Sequence, residues 1–374
     1  YSFSWVIYFI NALILKDRLY KASDYFFITA VLAVTAPVCV LYGYDYQRSI
    51  YPVLVTVITF IFIYFITNTK LISFKKLPTI EYGMNLVVIF SFIFVSSLVV
   101  WYYISGVTFN FNLKKVYEFR ADNYEISAFG ILGYTNNWTY KVFNMVLFSL
   151  ALLKKRYLLA ILFFILQIYF FGASANKGVL FTPLLIFIIW YYFRKTNSLA
   201  VVPFIFASVI ALTIIIYYTF DSILFTSYFS RRVFFVPAHL LFTYFDYFSE
   251  FPHIYWSNSV LSTFSTYPYD ASVAKVIGRY LGSDDMAANN GFVSTGYAHA
   301  DLFGVFIYAI IIGLILRFID DITNDLLPVW LTVALTVVPF RKLIISSDLL
   351  TTLLTHGFIV TIVIVFFIRS KKYA

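Results

Sequence analysis

Apolar residues run along this chain in long blocks, not in alternation. A helix that crosses the hydrocarbon core of a bilayer needs about 20 mostly apolar residues. Blocks near that length fall at roughly 1–15, 25–43, 50–67, 85–104, 131–153, 157–173, 178–193, 198–218, 300–317, 326–340 and 350–368. The pattern predicts an all-α polytopic membrane protein with about eleven spans. The chain begins at Tyr1, and a span preceding it would raise the count to twelve or more. The sixth and seventh blocks are separated only by "GASANKG" (Gly172 to Gly178), which reads as a tight re-entry.

Two segments between blocks are long, about 105–130 and about 219–299. The second mixes Arg231, Arg232, His239, Asp246, Glu250, His253, Lys275 and Arg279 with the aromatic run "YFDYFSEFPHIYW". That mixture predicts a large loop of amphipathic helices lying on the membrane as a half-buried cap. There is no internal repeat and no low-complexity linker, so 1–374 reads as one integral membrane domain.

Composition supports this class. Of 374 residues 61% are hydrophobic and 12% charged, against about 25% charged in soluble domains. Too little polar surface exists to cover two or three soluble cores. The single cysteine, Cys39, excludes an intrachain disulfide.

Charge adds orientation. Short basic loops occur at Lys16/Arg18/Lys21, Lys70/Lys75/Lys76, Lys154/Lys155/Arg156, Arg194/Lys195, Arg317 and Arg369/Lys371/Lys372. If the spans alternate, all six lie on one side and carry the whole net charge of +9. By the positive-inside rule that side, with the C-terminus, is cytoplasmic. The cations are scattered over short loops and form no groove, which excludes nucleic acid as a partner.

Cations on the other side have no topological task. Arg231 and Arg232 open "SRRVFFVPAHLLF", and guanidinium forks match phosphate oxygens; interfacial snorkelling is the plainer reading. Lys177, in "ASANKGVLF", is either an interfacial anchor or a contact for an anionic headgroup at a helix N-terminus. Arg341 and Lys342, in "VVPFRKLIISSDLL", sit close to hydrocarbon and call for Asp348 or a phosphate as partner. Arg120, in "YEFRADNYE", reads as part of a solvated helix or of a sugar contact. In "GFVSTGYAHADLFG", Gly291, Gly296 and Gly304 bracket Tyr297, His299 and Asp301. Helical residues two apart do not share a face, so His299 and Asp301 need not form a dyad. His299 is either structural or a base near neutral pH. The four histidines form no metal-binding pattern, and no Walker, Rossmann or GxSxG motif is present.

Several of these stretches resemble a known family. "NNGFVSTGYAHADLFGVFIYAIIIGLILRFID", "SRRVFFVPAHLLFTYFDYFSEFPHIYWSNS", "SANKG" and "SSDLLTTLLTHG" resemble segments of the Wzy-type O-antigen polymerases, which join oligosaccharide repeat units in bacterial envelopes. The likeness covers most of the chain from about residue 114 onward, and Asp301 stands where the family pattern carries a small residue, often glycine.

The resemblance implies a GT-C-like glycosyltransferase of the bacterial inner membrane, with its active site facing the periplasm and no metal or other cofactor. Donor and acceptor would both be oligosaccharides on undecaprenyl diphosphate, with membrane lipids and a polysaccharide chain-length regulator as further candidate partners. On that footing Arg231 and Arg232 hold diphosphate, with Arg341 and Lys177 as further contacts. His299 orients or deprotonates the acceptor hydroxyl, Tyr297 and Asp301 line the acceptor side, and Arg120 serves the other carrier. The alternatives are an O-antigen ligase-like transferase, or a flippase for lipid-linked oligosaccharide.

Overall fold

The structure, a computed structural model, describes residues 2–45, 47–69, 72–75, 77–112, 119 and 130–370. In chain order the helices are α1 (Ser2–Ala12), α2 (Ala22–Tyr44), α3 (Tyr51–Asn68) and α4 (Gly83–Ile104). There follow α5 (132–153), α6 (Tyr157–Ser174), α7 (Lys177–Phe193), α8 (Val201–Phe220) and α9 (223–250). The last are α10 (Val273–Tyr280), α11 (Phe292–Thr323), α12 (Val329–Ile345), α13 (Leu349–Leu353) and α14 (Phe358–Ile368). Among the described residues there is no β-strand, only an isolated bridge between Arg18 and Ser198.

Every apolar block is helical, because in hydrocarbon a helix satisfies its backbone groups within one segment. Among the described residues six helices are long and apolar enough to cross a membrane: α2, α3, α4, α6, α8 and α11. Helices α1, α7 and α14 are apolar but shorter. The last block is broken between α13 and α14, where Gly357 takes φ 73°.

Helix α11 packs along α3, with Phe60 edge-on to Phe292. Helix α5 contains a π turn, Thr139–Phe143, which leaves backbone acceptors without their usual i→i−4 donors. Gln167 of α6 donates to the carbonyl of Tyr140 in that turn at 2.8 Å. It also accepts from Asn144 at 2.6 Å. Such buried amides join helices where the hydrophobic effect cannot.

One end of the bundle gathers the loops expected to be basic. Leu19 donates to Asn197 and Leu199 to Asp17, pairing the loop after α1 with the loop before α8. Phe74 donates to Asp321 at 2.9 Å, and Ser370 donates to Leu326. Two of the cations assigned to topology are in fact internal. Arg317 is buried, 3.2 Å from Asp321, and donates to the carbonyl of Thr67. Arg369 is 1% exposed and donates to the carbonyl of Pro78.

Within the segment expected as a half-buried cap, one stretch is packed more deeply than that expectation and much of the rest is exposed. The Val236–Glu250 part of α9 is buried except for a stripe that includes His239, Asp246, Ser249 and Glu250. It is wedged against α11, α2 and α3. Tyr297 of α11 stacks on its Phe245, with centroids 3.9 Å apart.

Candidate functional site

The cap end is organised by a break in α11. Ala300 (φ −159°, ψ 48°) and Asp301 (φ 52°, ψ −143°) leave the helical region, so the helix turns sharply between His299 and Leu302. The turn folds Gly304 onto Gly296 so closely that a Cβ on Gly304 would lie 2.0 Å from the Gly296 carbonyl oxygen. Only glycine permits that approach. Asp301 holds a positive φ that L side chains rarely adopt, and its carboxylate partly compensates by accepting the Leu302 N–H at 2.7 Å.

The carbonyls released at the break are recovered by the loop after α9. Ile254 donates to Ala298 and Tyr255 to His299, at 3.1 and 2.8 Å. Tyr255 and Trp256 both have positive φ (44° and 56°), which turns the next N–H inward. That N–H, of Trp256, donates to Nδ1 of His299 at 3.1 Å. The indole stacks on the imidazole, 5.0 Å between centroids and 7° between planes.

The other imidazole nitrogen, Nε2, lies 3.3 Å from Oδ1 of Asp348. Nδ1 accepts a proton-bearing donor, so Nε2 carries the hydrogen and donates to the carboxylate. The same Oδ1 accepts from the Tyr308 hydroxyl at 2.7 Å, and that hydroxyl accepts from the Trp256 indole at 3.0 Å. Oδ2 accepts the Leu350 N–H at 2.8 Å, capping α13. Burial opposes ionisation of Asp348, but the bonds from His299, Tyr308 and Leu350 outweigh it and hold the carboxyl below its ordinary pKa.

This quartet revises two expectations. His299 is 3% exposed and both its nitrogens are engaged, so no lone pair faces an acceptor hydroxyl. Its geometry is that of a clamp on the broken helix. Asp348 is not the partner of Arg341, because it serves His299 and Tyr308.

Arg341 stands in a different setting. It lies at the wall of a cavity of about 320 Å³ between α7, α8, α9 and α12. The other walls are apolar and include Phe181, Phe206, Val209, Phe229 and Val337. The residue as a whole is exposed, and among the described residues no carboxylate lies within ion-pair distance of it. One guanidinium nitrogen lies 3.4 Å from where a Gly178 Cβ would be, at the N-terminus of α7. There Lys177 places its Nζ 4.3 Å from the ring centre of Tyr228, on the π stretch of α9.

Arg231 and Arg232 follow on that same π stretch, and both are exposed. Arg341 thus comes to the N-terminus of α7 beside Gly178, and Lys177 lies over Tyr228 on the π stretch that bears the arginine pair. His299 belongs to another cluster. Tyr297 is buried in the stack on Phe245, and Asp301 is exposed at the break. Arg120 lies outside the described residues.

Arg48, Trp256 and Tyr308 were not among the residues singled out from sequence. Arg48 lies 3.2 Å from Asp45 and over the ring of Phe242, 4.9 Å from its centre. It is thereby an electrostatic neighbour of His239 and Asp246 on the polar stripe of α9. Burial and then Arg48 push the His239 pKa down, while burial pushes the Asp246 carboxyl up. A lone arginine in a short loop gave no signal. The Trp256 indole and Tyr308 hydroxyl are visible only once the broken helix brings 256, 308 and 348 together.

Among the described residues no three His, Cys, Asp or Glu side chains form a group that could hold a metal ion. No family model matches the chain, and neither does any curated protein or solved structure.

Proposed function

We propose that the protein is a membrane glycosyltransferase that polymerises oligosaccharide repeat units carried on undecaprenyl diphosphate. The observation that carries the reading is Arg341, a cation at the wall of an apolar cavity among helices, with no carboxylate partner among the described residues. A charge at that depth is costly unless an anion or water meets it. A polyprenyl diphosphate offers both parts of the match, an apolar chain for the cavity and an anion for the guanidinium.

In this reading Arg341 and Lys177 hold the donor diphosphate, with Arg231 and Arg232 at the mouth. The acceptor hydroxyl attacks the anomeric carbon of the donor sugar. The new C–O bond forms as the bond to diphosphate breaks, and the carrier diphosphate leaves with the electron pair. Cations fixed in a low-dielectric cavity stabilise that charge as it develops, and this electrostatic effect supplies most of the barrier lowering. The hydroxyl proton passes to a carboxylate. Asp246 and Asp301 are exposed and share Tyr297 as a neighbour, which favours them over His299. The reaction draws its energy from the diphosphate leaving group and uses no metal.

The reading extends to topology. The basic end faces the cytoplasm and includes the C-terminus. The cap end faces the periplasm of a bacterial inner membrane, and the shorter helices complete about eleven crossings in a GT-C-like layout. The breaks in α11 and between α13 and α14 fall at the cap end, among its charges, and this favours an enzyme over a flippase.

The test uses purified protein in detergent with EDTA. Binding of undecaprenyl diphosphate is measured against undecaprenol, and products from a lipid-linked repeat unit are resolved on a gel. A product ladder that Arg341→Ala abolishes supports polymerisation. Transfer of the glycan to lipid A core instead would identify a ligase. Equal affinity for undecaprenol and its diphosphate sinks the reading.

A further inference from the structure

Arg341 and Lys342 are consecutive on α12, so their side chains leave the helix roughly 100° apart. Arg341 faces the apolar cavity. Lys342 belongs to a second basic centre, where it and Lys141 are the cationic neighbours of His356. Three separate elements build this centre. Lys141 lies in the π turn of α5, Lys342 on α12, and His356 in the break between α13 and α14.

The break is fixed to the π turn. Trp138 donates its indole N–H to the Leu354 carbonyl at 2.6 Å. Gly357, at φ 73°, packs so tightly that a Cβ there would lie 2.8 Å from Val142 and 2.9 Å from Trp138. Lys141 is only 9% exposed, and its ammonium bonds Asn137 and lies 3.1 Å from Nδ1 of His356. Lysine has donors and no acceptor, so Nδ1 must accept and the imidazole hydrogen must sit on Nε2. Among the described residues nothing accepts from Nε2, and the side chain is partly exposed. An N–H of fixed direction thus points away from Lys141, with Lys342 a further cationic neighbour of the ring, at a π turn of the kind that often marks a functional site.

We propose that His356, Lys141 and Lys342 form a second anion site, separate from Arg341, that takes a lipid-borne phosphate or diphosphate. His356 donates through Nε2, and the two lysines supply charge-assisted contacts to the phosphate oxygens. In a two-carrier reaction this is the place of the second carrier, and that assignment rests on the function proposed above. Arg341 and Lys342 would then present two phosphates to one reaction space from two faces of one helix.

The experiment is native mass spectrometry of the full chain, titrated with undecaprenyl diphosphate, with undecaprenol as the control. Wild type is expected to bind two diphosphates. Arg341→Leu and His356→Phe should each retain one, and the double variant none. His356→Gln, which restores an N–H near the Nε2 position, should recover the second site to within about tenfold of wild type. Displacement from the His356 site by phosphatidylglycerol would identify a phospholipid phosphate as the occupant of the same site. Unchanged stoichiometry in folded His356→Phe and Lys342→Met would overturn the inference and leave the Arg341 reading intact. Loss in His356→Phe with no change in Arg341→Leu would overturn the Arg341 reading and leave this site standing. Failure of wild type to bind any phosphate-bearing lipid overturns both.

Discussion

His299 accepts the backbone N–H of Trp256 through Nδ1, at 3.1 Å, and so fastens the loop after α9 to the broken end of a helix half. With Nε2 on Asp348, the ring has one defined tautomer and no free nitrogen. Removing it strands a part-buried N–H and takes a donor from a part-buried carboxylate. His299→Ala should destabilise by roughly 1–3 kcal/mol, since it leaves an N–H and a carboxylate without their partner. His299→Asn, whose side-chain oxygen can reach the position of Nδ1, should retain the Trp256 bond and lose less. Thermal unfolding in detergent and hydrogen exchange over 254–262 measure both. A catalytic base would behave otherwise, with His299→Asn abolishing turnover at unchanged stability.

The carboxylate behind that ring sets a pH limit. The pKa of Asp348 is held below its ordinary 3.8 in the folded chain. A depressed acid stabilises the fold above its unfolded pKa and loses that contribution as pH falls through the folded value. The clamp should therefore be intact at pH 5 and loosen only below about pH 3.9. Trp256 lies against the imidazole, so intrinsic fluorescence should report the change. Asp348→Ala should remove this acid-side transition, and its persistence in the variant would refute the assignment.

The sequence announced the helices and the basic end, because membrane solvation makes long apolar blocks and short basic loops obligatory. It also marked Lys177 and Arg341 as candidate phosphate contacts, and the fold brings Arg341 to the N-terminus of α7 beside Gly178. It misjudged α9 between Val236 and Glu250. Hydropathy cannot distinguish a helix half-sunk in lipid from one wedged between other helices. It also misjudged His299, because its partners Trp256 and Asp348 are 43 and 49 residues away in sequence and meet it only through the break at Asp301. Nothing local to "YAHAD" signals that both nitrogens are taken.

Asp301 gives a test of strain. With φ 52° and ψ −143° it occupies a backbone region nearly confined to glycine, which costs an L residue roughly 1–3 kcal/mol. Its carboxylate bond to Leu302 offsets part of that. Asp301→Gly removes the strain and the bond together and should leave the protein as stable or about 1 kcal/mol more stable. Asp301→Val, branched and without an acceptor, should lose more than about 2 kcal/mol. Destabilisation by glycine as large as that by valine would show that the side chain, not the backbone, decides this position. If Asp301 also receives the acceptor proton, Asp301→Gly loses turnover while gaining stability.

The same opposition between stability and use should be sharpest at Arg341. Its guanidinium faces an apolar cavity, and among the described residues no carboxylate neutralises it. Without ligand, that charge burdens the fold. An unpaired charge held against apolar walls is costly unless water or an anion meets it, and an apolar side chain of similar volume removes that cost. Arg341→Leu should therefore raise the unfolding temperature of the ligand-free protein by a few degrees, at about 2–4 °C per kcal/mol for chains of 150–250 residues and less for a longer one. Undecaprenyl diphosphate should reverse the order. A ligand stabilises only the form that binds it, by RT ln(1 + [L]/Kd), which is about 2.7 kcal/mol at a hundredfold excess over Kd. Wild type should gain that increment and Arg341→Leu should not. Scans of both proteins, with and without the lipid, give four unfolding temperatures. A variant less stable than wild type without ligand would make Arg341 a structural residue, with partners inside the fold in place of the carrier.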